Sequence, residues 1–93
     1  MLGKAMKKHA ASRNPLREWM QKTELAEWHD IVDARQTFKS TDFITGSDRT
    51  CFNIGGNNFR LITIVSYQLQ VVSICEFLTH EEYTKKYVRR KPT

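Results

Sequence analysis

Hydrophobic positions follow one rhythm in the first half of the chain and another in the second. In the first half Leu16, Trp19, Met20 and Leu25 recur at helical spacing, with Trp28 three residues further on. That spacing predicts an amphipathic helix with an apolar stripe for packing on a sheet. Asn14-Pro15 marks its expected start, since Asn can cap and Pro is tolerated at the first helical position. Residues 5–11 read as a short basic helical segment without a strong apolar face. Thr23 offers a cap for a separate segment, but Ala26 three residues later denies it a capping box. Asp30 and Asp33 are better starts for a further helix near 31–38. Residues 39–48, with Ser40, Thr41, Asp42, Gly46 and Ser47, read as a loop.

The second half is strand-like. Cys51-Phe52-Asn53-Ile54 is a short strand, and Gly55-Gly56-Asn57-Asn58 supplies a turn. Residues 59–67 and 70–78 are rich in β-branched and aromatic side chains and predict central strands joined by a tight turn at Gln68-Leu69. A two-residue turn makes Tyr67 face Gln70 and puts Arg60 on one face with Ile62, Cys75 and Phe77. A slip of one residue would reverse that relation. Thr79, with Glu82 three residues later, forms a capping box for a final helical turn. Helices followed by strands describe an α+β domain.

At 93 residues the chain has room for one domain and a modest core. A domain of this size buries about 60–65% of the surface its unfolded chain exposes, so a tightly bound partner would stabilise it. The net charge is +5, unevenly spread. Residues 1–22 carry six Lys/Arg against Glu18 alone, and 23–50 reverse this with six acids against Arg35, Lys39 and Arg49. Arg60 is the only charge in 51–75, and the tail after Tyr83 holds Lys85, Lys86, Arg89, Arg90 and Lys91 with no acid. Such basic ends suit a polyanion such as RNA, although a solvated surface is the bland alternative. Cys51 and Cys75 sit in apolar surroundings without metal-ligand spacing, and read as two small core residues in a reducing cytoplasm. No apolar run approaches the roughly 18 residues of a membrane span, and no apolar stretch follows the basic start to make a secretory signal.

The block from Phe52 to Leu61 (FNIGGNNFRL) and the block Thr79-His80-Glu81-Glu82-Tyr83 together resemble the HigB toxins of the RelE superfamily. The second block matches that family's T-H-x-E-Y signature, and Pro15-Leu16-Arg17-Glu18-Trp19 is similar to its second helix. The resemblance covers roughly residues 6–83. It implies two or three helices packed on a small antiparallel sheet of three to four strands, with a short C-terminal helix. It also implies cleavage of ribosome-bound mRNA without a cofactor or metal, and neutralisation by a helix-turn-helix antitoxin of the HigA type. In that chemistry the RNA's own 2′-hydroxyl attacks the adjacent phosphorus and leaves a 2′,3′-cyclic phosphate.

The reaction needs a proton taken from the 2′-hydroxyl, a proton given to the leaving 5′-oxygen, and positive charge beside the phosphorane. His80 suits proton transfer; packing at a helix start is its structural alternative. Arg60 can grip a phosphate bidentately from a rigid strand, or simply solvate an edge. Tyr83, one helical turn after His80, can stack on a splayed base, join the proton transfer, or anchor the core. The resemblance places Lys85, Lys86, Arg89 and Asn57 against RNA. Gly55-Gly56 lacks the pattern of a phosphate-cradling loop and reads as a turn.

Three departures from the family stand out. Cys75 occupies the place of a frequent last-strand arginine, and Asn58 that of a frequent lysine. The usual short first strand is missing ahead of Lys4, through truncation or because the sheet has one strand fewer and an exposed edge. Loss of a strand-borne cation would weaken catalysis. Two other readings therefore fit these residues: a non-catalytic RNA- or ribosome-binding module, and a protein whose role is to complex an antitoxin-like repressor.

Overall fold

The change of rhythm becomes a change of layer. A computed structural model of the chain describes residues 2–88. Three helices come first: α1 (Leu2–Lys8), α2 (Arg13–Leu25) and α3 (Ile31–Thr37), with a 3-10 turn (Ala10–Ser12) between the first two. An antiparallel sheet follows in the order β1 (Asp42–Phe43), β2 (Thr50–Ile54), β3 (Phe59–Ser66) and β4 (Val71–Thr79). The short helix α4 (His80–Tyr83) then runs on as a π-helical turn over Thr84–Val88. This is the α+β arrangement that the sequence predicts. No helix among the described residues is long and apolar enough to cross a membrane.

Several boundaries differ from the sequence reading. The helical segment read at 5–11 is α1, which ends at Lys8, followed by the 3-10 turn. That turn feeds straight into α2, so the helix starts at Arg13 and Asn14-Pro15 fall inside its first turn, where the missing proline N–H is harmless. Leu25 does not join the apolar stripe and is 91% exposed. The chain leaves the helix in an extended conformation at Ala26, and Trp28 folds back into the core instead. Its indole Nε1 donates to Thr37 Oγ1 at 3.0 Å, and the Gln70 side chain bonds both its backbone N–H and its carbonyl. Asp30 caps α3 by accepting from the Asp33 N–H at 3.1 Å. The stretch read as a loop contains β1, which pairs with Cys51 and Thr50 across a hairpin at Gly46 (φ +81°). Two residues are too few for alternation to register in a sequence. Among the described residues this short strand is what covers the outer edge of β2.

The main core lies between α2 and one face of the sheet, where Leu16 and Trp19 meet Phe52, Ile54, Phe59 and Leu61. The β3–β4 register follows the sequence reading from Ser66↔Val71 to Thr63↔Ile74, although the turn takes four residues. A bulge then inserts Cys75, and Ile62 pairs with Glu76. One extra residue swaps the faces of everything beyond it. Arg60 consequently pairs with Leu78 and shares its face with Ile62 and Glu76, not with Phe77. The Phe77 ring stacks on Phe59 at 5.2 Å on the core side. Cys75, read as a core residue, is therefore a partly buried bulge residue, while Cys51 is buried; both thiols are free.

Thr79 ends β4 and caps α4 as its spacing predicts. Its hydroxyl accepts from Glu82 N–H at 3.1 Å, and Glu82 Oε1 accepts from Thr79 N–H at 2.8 Å. Those hydrogen bonds, aided by the nearby charges of Lys8 and His9, hold the Glu82 carboxyl below the usual carboxylate range. Thr79→Ala removes the hydroxyl half of the box and should cost about 1 kcal/mol. Urea unfolding would show this as a lower midpoint at unchanged slope, and Thr79→Ser should restore most of it.

Candidate active site

The site grows from the β2–β3 turn. Gly55 and Gly56 both take positive φ (+65° and +66°), a conformation that side chains resist, so this turn needs glycine. Asn58 N–H closes the turn on Gly55 O at 3.3 Å, and His80 N–H donates to Asn58 O at 2.9 Å. The turn thus pins the head of α4. The Thr84 hydroxyl holds His80 from the other side by donating to its carbonyl at 2.9 Å.

Arg60, just past the turn, lies beneath this junction and is 7% exposed. Its Nη1 donates to the carbonyls of Asn57 (3.2 Å) and Phe59 (3.1 Å). Its Nη2 donates to Asn57 Oδ1 (2.6 Å) and to His80 Nδ1 (3.0 Å). The guanidinium carbon sits 5.5 Å from the centre of the Tyr83 ring. No carboxylate pairs with Arg60 among the described residues. A buried cation held only by neutral acceptors and a π-face keeps an electrostatic demand for an anion.

Because Arg60 can only donate, His80 Nδ1 is an acceptor and the neutral imidazole carries its proton on Nε2. His80 itself is exposed, so its Nε2–H faces outward while Arg60 holds Nδ1. Arg60's Nη hydrogens serve these intrachain acceptors, so a bidentate grip on phosphate requires Nη2 to turn away from His80 or Asn57.

Four of the residues singled out by sequence therefore meet: Asn57, Arg60, His80 and Tyr83. The Tyr83 hydroxyl has its pKa raised, by burial first and then by the neighbouring Cys51 thiol and Asp42 carboxyl. Burial pushes the Cys51 thiol up to about 11, against the pull of Arg60. Neither is an anion at neutral pH.

Lys85 and Lys86 are held elsewhere. Lys85 pairs with Glu81 at 3.2 Å on the surface, and Lys86 pairs with Glu76 on the sheet. Arg89 lies outside the described residues. Around Glu76 is a second polar cluster that sequence reasoning missed: Arg49 reaches its carboxylate at 3.3 Å and the Tyr87 hydroxyl at 3.2 Å, and that hydroxyl also donates to Glu76. Burial would raise the Glu76 carboxyl, but the hydrogen bonds from Lys86 and Tyr87 and the charges of Lys86 and Arg49 hold it below the ordinary range. Tyr83 and Tyr87, 5.4 Å apart, thus fasten the C-terminal helix over the face that carries Arg60 and Glu76. His9 was also missed. Its ring packs 5.3 Å from Phe59 and 6.2 Å from Phe77, which puts the end of α1 beside the site. No local motif signals a contact across so much sequence.

A family model described as HigB_toxin, the RelE-like toxic component of a toxin-antitoxin system, matches residues 12–86. No curated protein matches the chain.

Proposed function

Because the chain belongs to the HigB family of RelE-like toxins, which act opposite an antitoxin, we propose that it is a metal-independent endoribonuclease that cleaves mRNA on the ribosome. The observation that carries this reading is the Arg60–His80 contact: a buried cation without a counter-ion among the described residues, bonded at 3.0 Å to an exposed imidazole. In the proposed reaction an RNA phosphate draws Arg60 Nη2 away from His80, since a charge-assisted bond to phosphate is stronger than one to a neutral ring nitrogen. Nδ1 is thereby freed to take the 2′-hydroxyl proton. The 2′-oxygen attacks phosphorus, the P–O5′ bond breaks, and the His80 imidazolium returns a proton to the departing 5′-oxygen. A 2′,3′-cyclic phosphate remains. Asn57 positions Arg60 through its side-chain oxygen. Tyr83 shields the guanidinium and offers its ring to a splayed base. Lys85 and Lys86, and Arg89 beyond the described residues, supply long-range attraction for phosphates. The reading places the protein in the cytoplasm, with mRNA, the ribosome and a HigA-like helix-turn-helix antitoxin as partners.

One observation favours a second reading. Arg60's terminal donors are satisfied within the chain, and Cys75 brings no cation to the bulge, so a member that binds RNA or the ribosome without cutting is the alternative. Induced expression separates the two: growth arrest with new mRNA 5′ ends is expected, and arrest without new ends would favour the non-cutting module. Absence of arrest would leave a protein that only complexes its antitoxin. Isolated protein should cut free RNA at least about 10²-fold more slowly than ribosome-bound mRNA, because the ribosome supplies part of the reacting geometry. Rapid cleavage of naked RNA would count against ribosome dependence.

A further inference from the structure

Two polar centres lie side by side beneath the C-terminal helix, with opposite surpluses of charge. Arg60 is a cation that no carboxylate pairs among the described residues. Glu76 pairs across the sheet with Ile62, two residues along the same face from Arg60. Three donors from two parts of the chain converge on its carboxylate: Arg49 Nη1 at 3.3 Å, Lys86 Nζ and the Tyr87 hydroxyl. Tyr83 joins the two centres, since its ring lies over Arg60 and against Tyr87. An arginine, a lysine and a hydroxyl around one anion are also the donors that a phosphate takes. The side chains of Arg49 and Lys86 are 36% and 53% exposed, against 22% for Glu76, so an anion can reach both cations from solvent without moving the sheet. A phosphodiester and a carboxylate each carry one negative charge. Glu76 holds the advantage in the free chain because it is tethered, at an effective concentration on the order of millimolar or above. That advantage shrinks once an RNA is anchored at Arg60, because its neighbouring phosphate is then tethered as well.

We infer that Arg49 and Lys86 form a subsite for an RNA phosphate adjacent to the one at Arg60, and that Glu76 occupies this subsite in the free protein and thereby lowers its affinity for RNA. Tyr87 belongs to the fastening of the helix and not to the subsite. The inference rests on the reading of the chain as an RNA-binding protein, and on neither cleavage nor the ribosome.

The test uses the full chain and a short 2′-O-methyl RNA oligonucleotide, which keeps every phosphate but lacks the nucleophile for cleavage. Glu76→Gln keeps the size of the side chain and one accepting oxygen. It should bind the oligonucleotide about 10-fold more tightly at low salt, and its slope of log affinity against log salt should steepen by about 0.7 for each freed cation. Adding Lys86→Gln should take back much of that gain, and should cost more affinity in Glu76→Gln than in the wild-type chain. Tyr87→Phe removes a donor from the same carboxylate but no charge, and should not steepen the salt slope. In the wild-type chain, saturating oligonucleotide should shift the NMR signals of the Arg49 Nε–H and the Glu76 carboxyl carbon, a readout that depends on no variant folding. Wild-type affinity and salt slope in a folded Glu76→Gln would overturn the inference and leave the cluster as a clamp for the helix. So would unmoved Arg49 and Glu76 signals, or a salt slope steepened equally by Tyr87→Phe. An oligonucleotide that bound no form of the chain would overturn the RNA reading too, whereas binding without the Glu76 effect would leave that reading standing.

Discussion

Replacing His80 with alanine is expected to lower ribosome-dependent mRNA cleavage by about 10²–10⁴-fold, the range for removing a positioned acid–base group. The fold should survive, because the bonds that seat the residue are backbone ones. His80 N–H to Asn58 O and Thr84 hydroxyl to His80 O both remain in the variant. Arg60 should act on the same step. Arg60→Lys keeps a charge but loses the fork that reaches Asn57 and His80 together. If the two residues form one unit, the double variant should be little worse than His80→Ala alone. The tautomer offers a readout that a merely structural arginine would not move. Nitrogen-15 NMR should find the wild-type imidazole protonated at Nε2, and a mixture of tautomers in Arg60→Lys. Undiminished cleavage by His80→Ala, measured as mapped RNA ends after induction, would remove the site from consideration.

Which parts of this arrangement could be read from the sequence follows from how local each signal is. The capping box at Thr79 and Glu82, the Gly55–Asn58 turn and the Asp30 cap are set by neighbours within four residues, and all appear where spacing puts them. The convergence of Arg60 and His80 spans 20 residues and depends on strand pairing, which brings the turn carrying Asn58 against the head of α4. The faces of β4 were not legible, because a single bulge residue reverses them and Cys75 carries no mark of a bulge. That reversal brings Glu76 rather than Phe77 beneath the C-terminal helix and creates the Arg49–Glu76–Lys86–Tyr87 cluster. Basic residues in a tail attract the reading of a nucleic-acid contact. Here Lys85 and Lys86 each pair with a carboxylate, Glu81 and Glu76, that lies outside the tail. Burial of Arg60 was likewise hidden, since a lone charge in a strand looks like an exposed one until the helix over it is placed.

Phe52→Ala is expected to cost about 3–5 kcal/mol, enough to bring the free chain close to unfolding. Phe52 is 0% exposed. Its ring meets Trp19 at 5.4 Å, Trp28 at 5.8 Å and Phe38 at 5.6 Å. These partners come from α2, the α2–α3 connection and the end of α3, so one side chain on β2 joins three separate pieces of the helical layer to the sheet. Those rings are large and locked against one another, which limits collapse into the vacated space and puts the cost toward the upper part of the range. At roughly 4–8 °C per kcal/mol for a domain of this size, the melting temperature should fall by tens of degrees. Phe43→Ala is the matched control. The same side chain is 48% exposed on β1 and should cost much less. A bound antitoxin should return much of the lost stability to Phe52→Ala, because a ligand of the native state shifts folding by its own binding free energy. Thermal melts of both variants, alone and with antitoxin, test the argument. Equal melting temperatures for Phe52→Ala and Phe43→Ala would mean that the aromatic cluster is not what holds the two layers together.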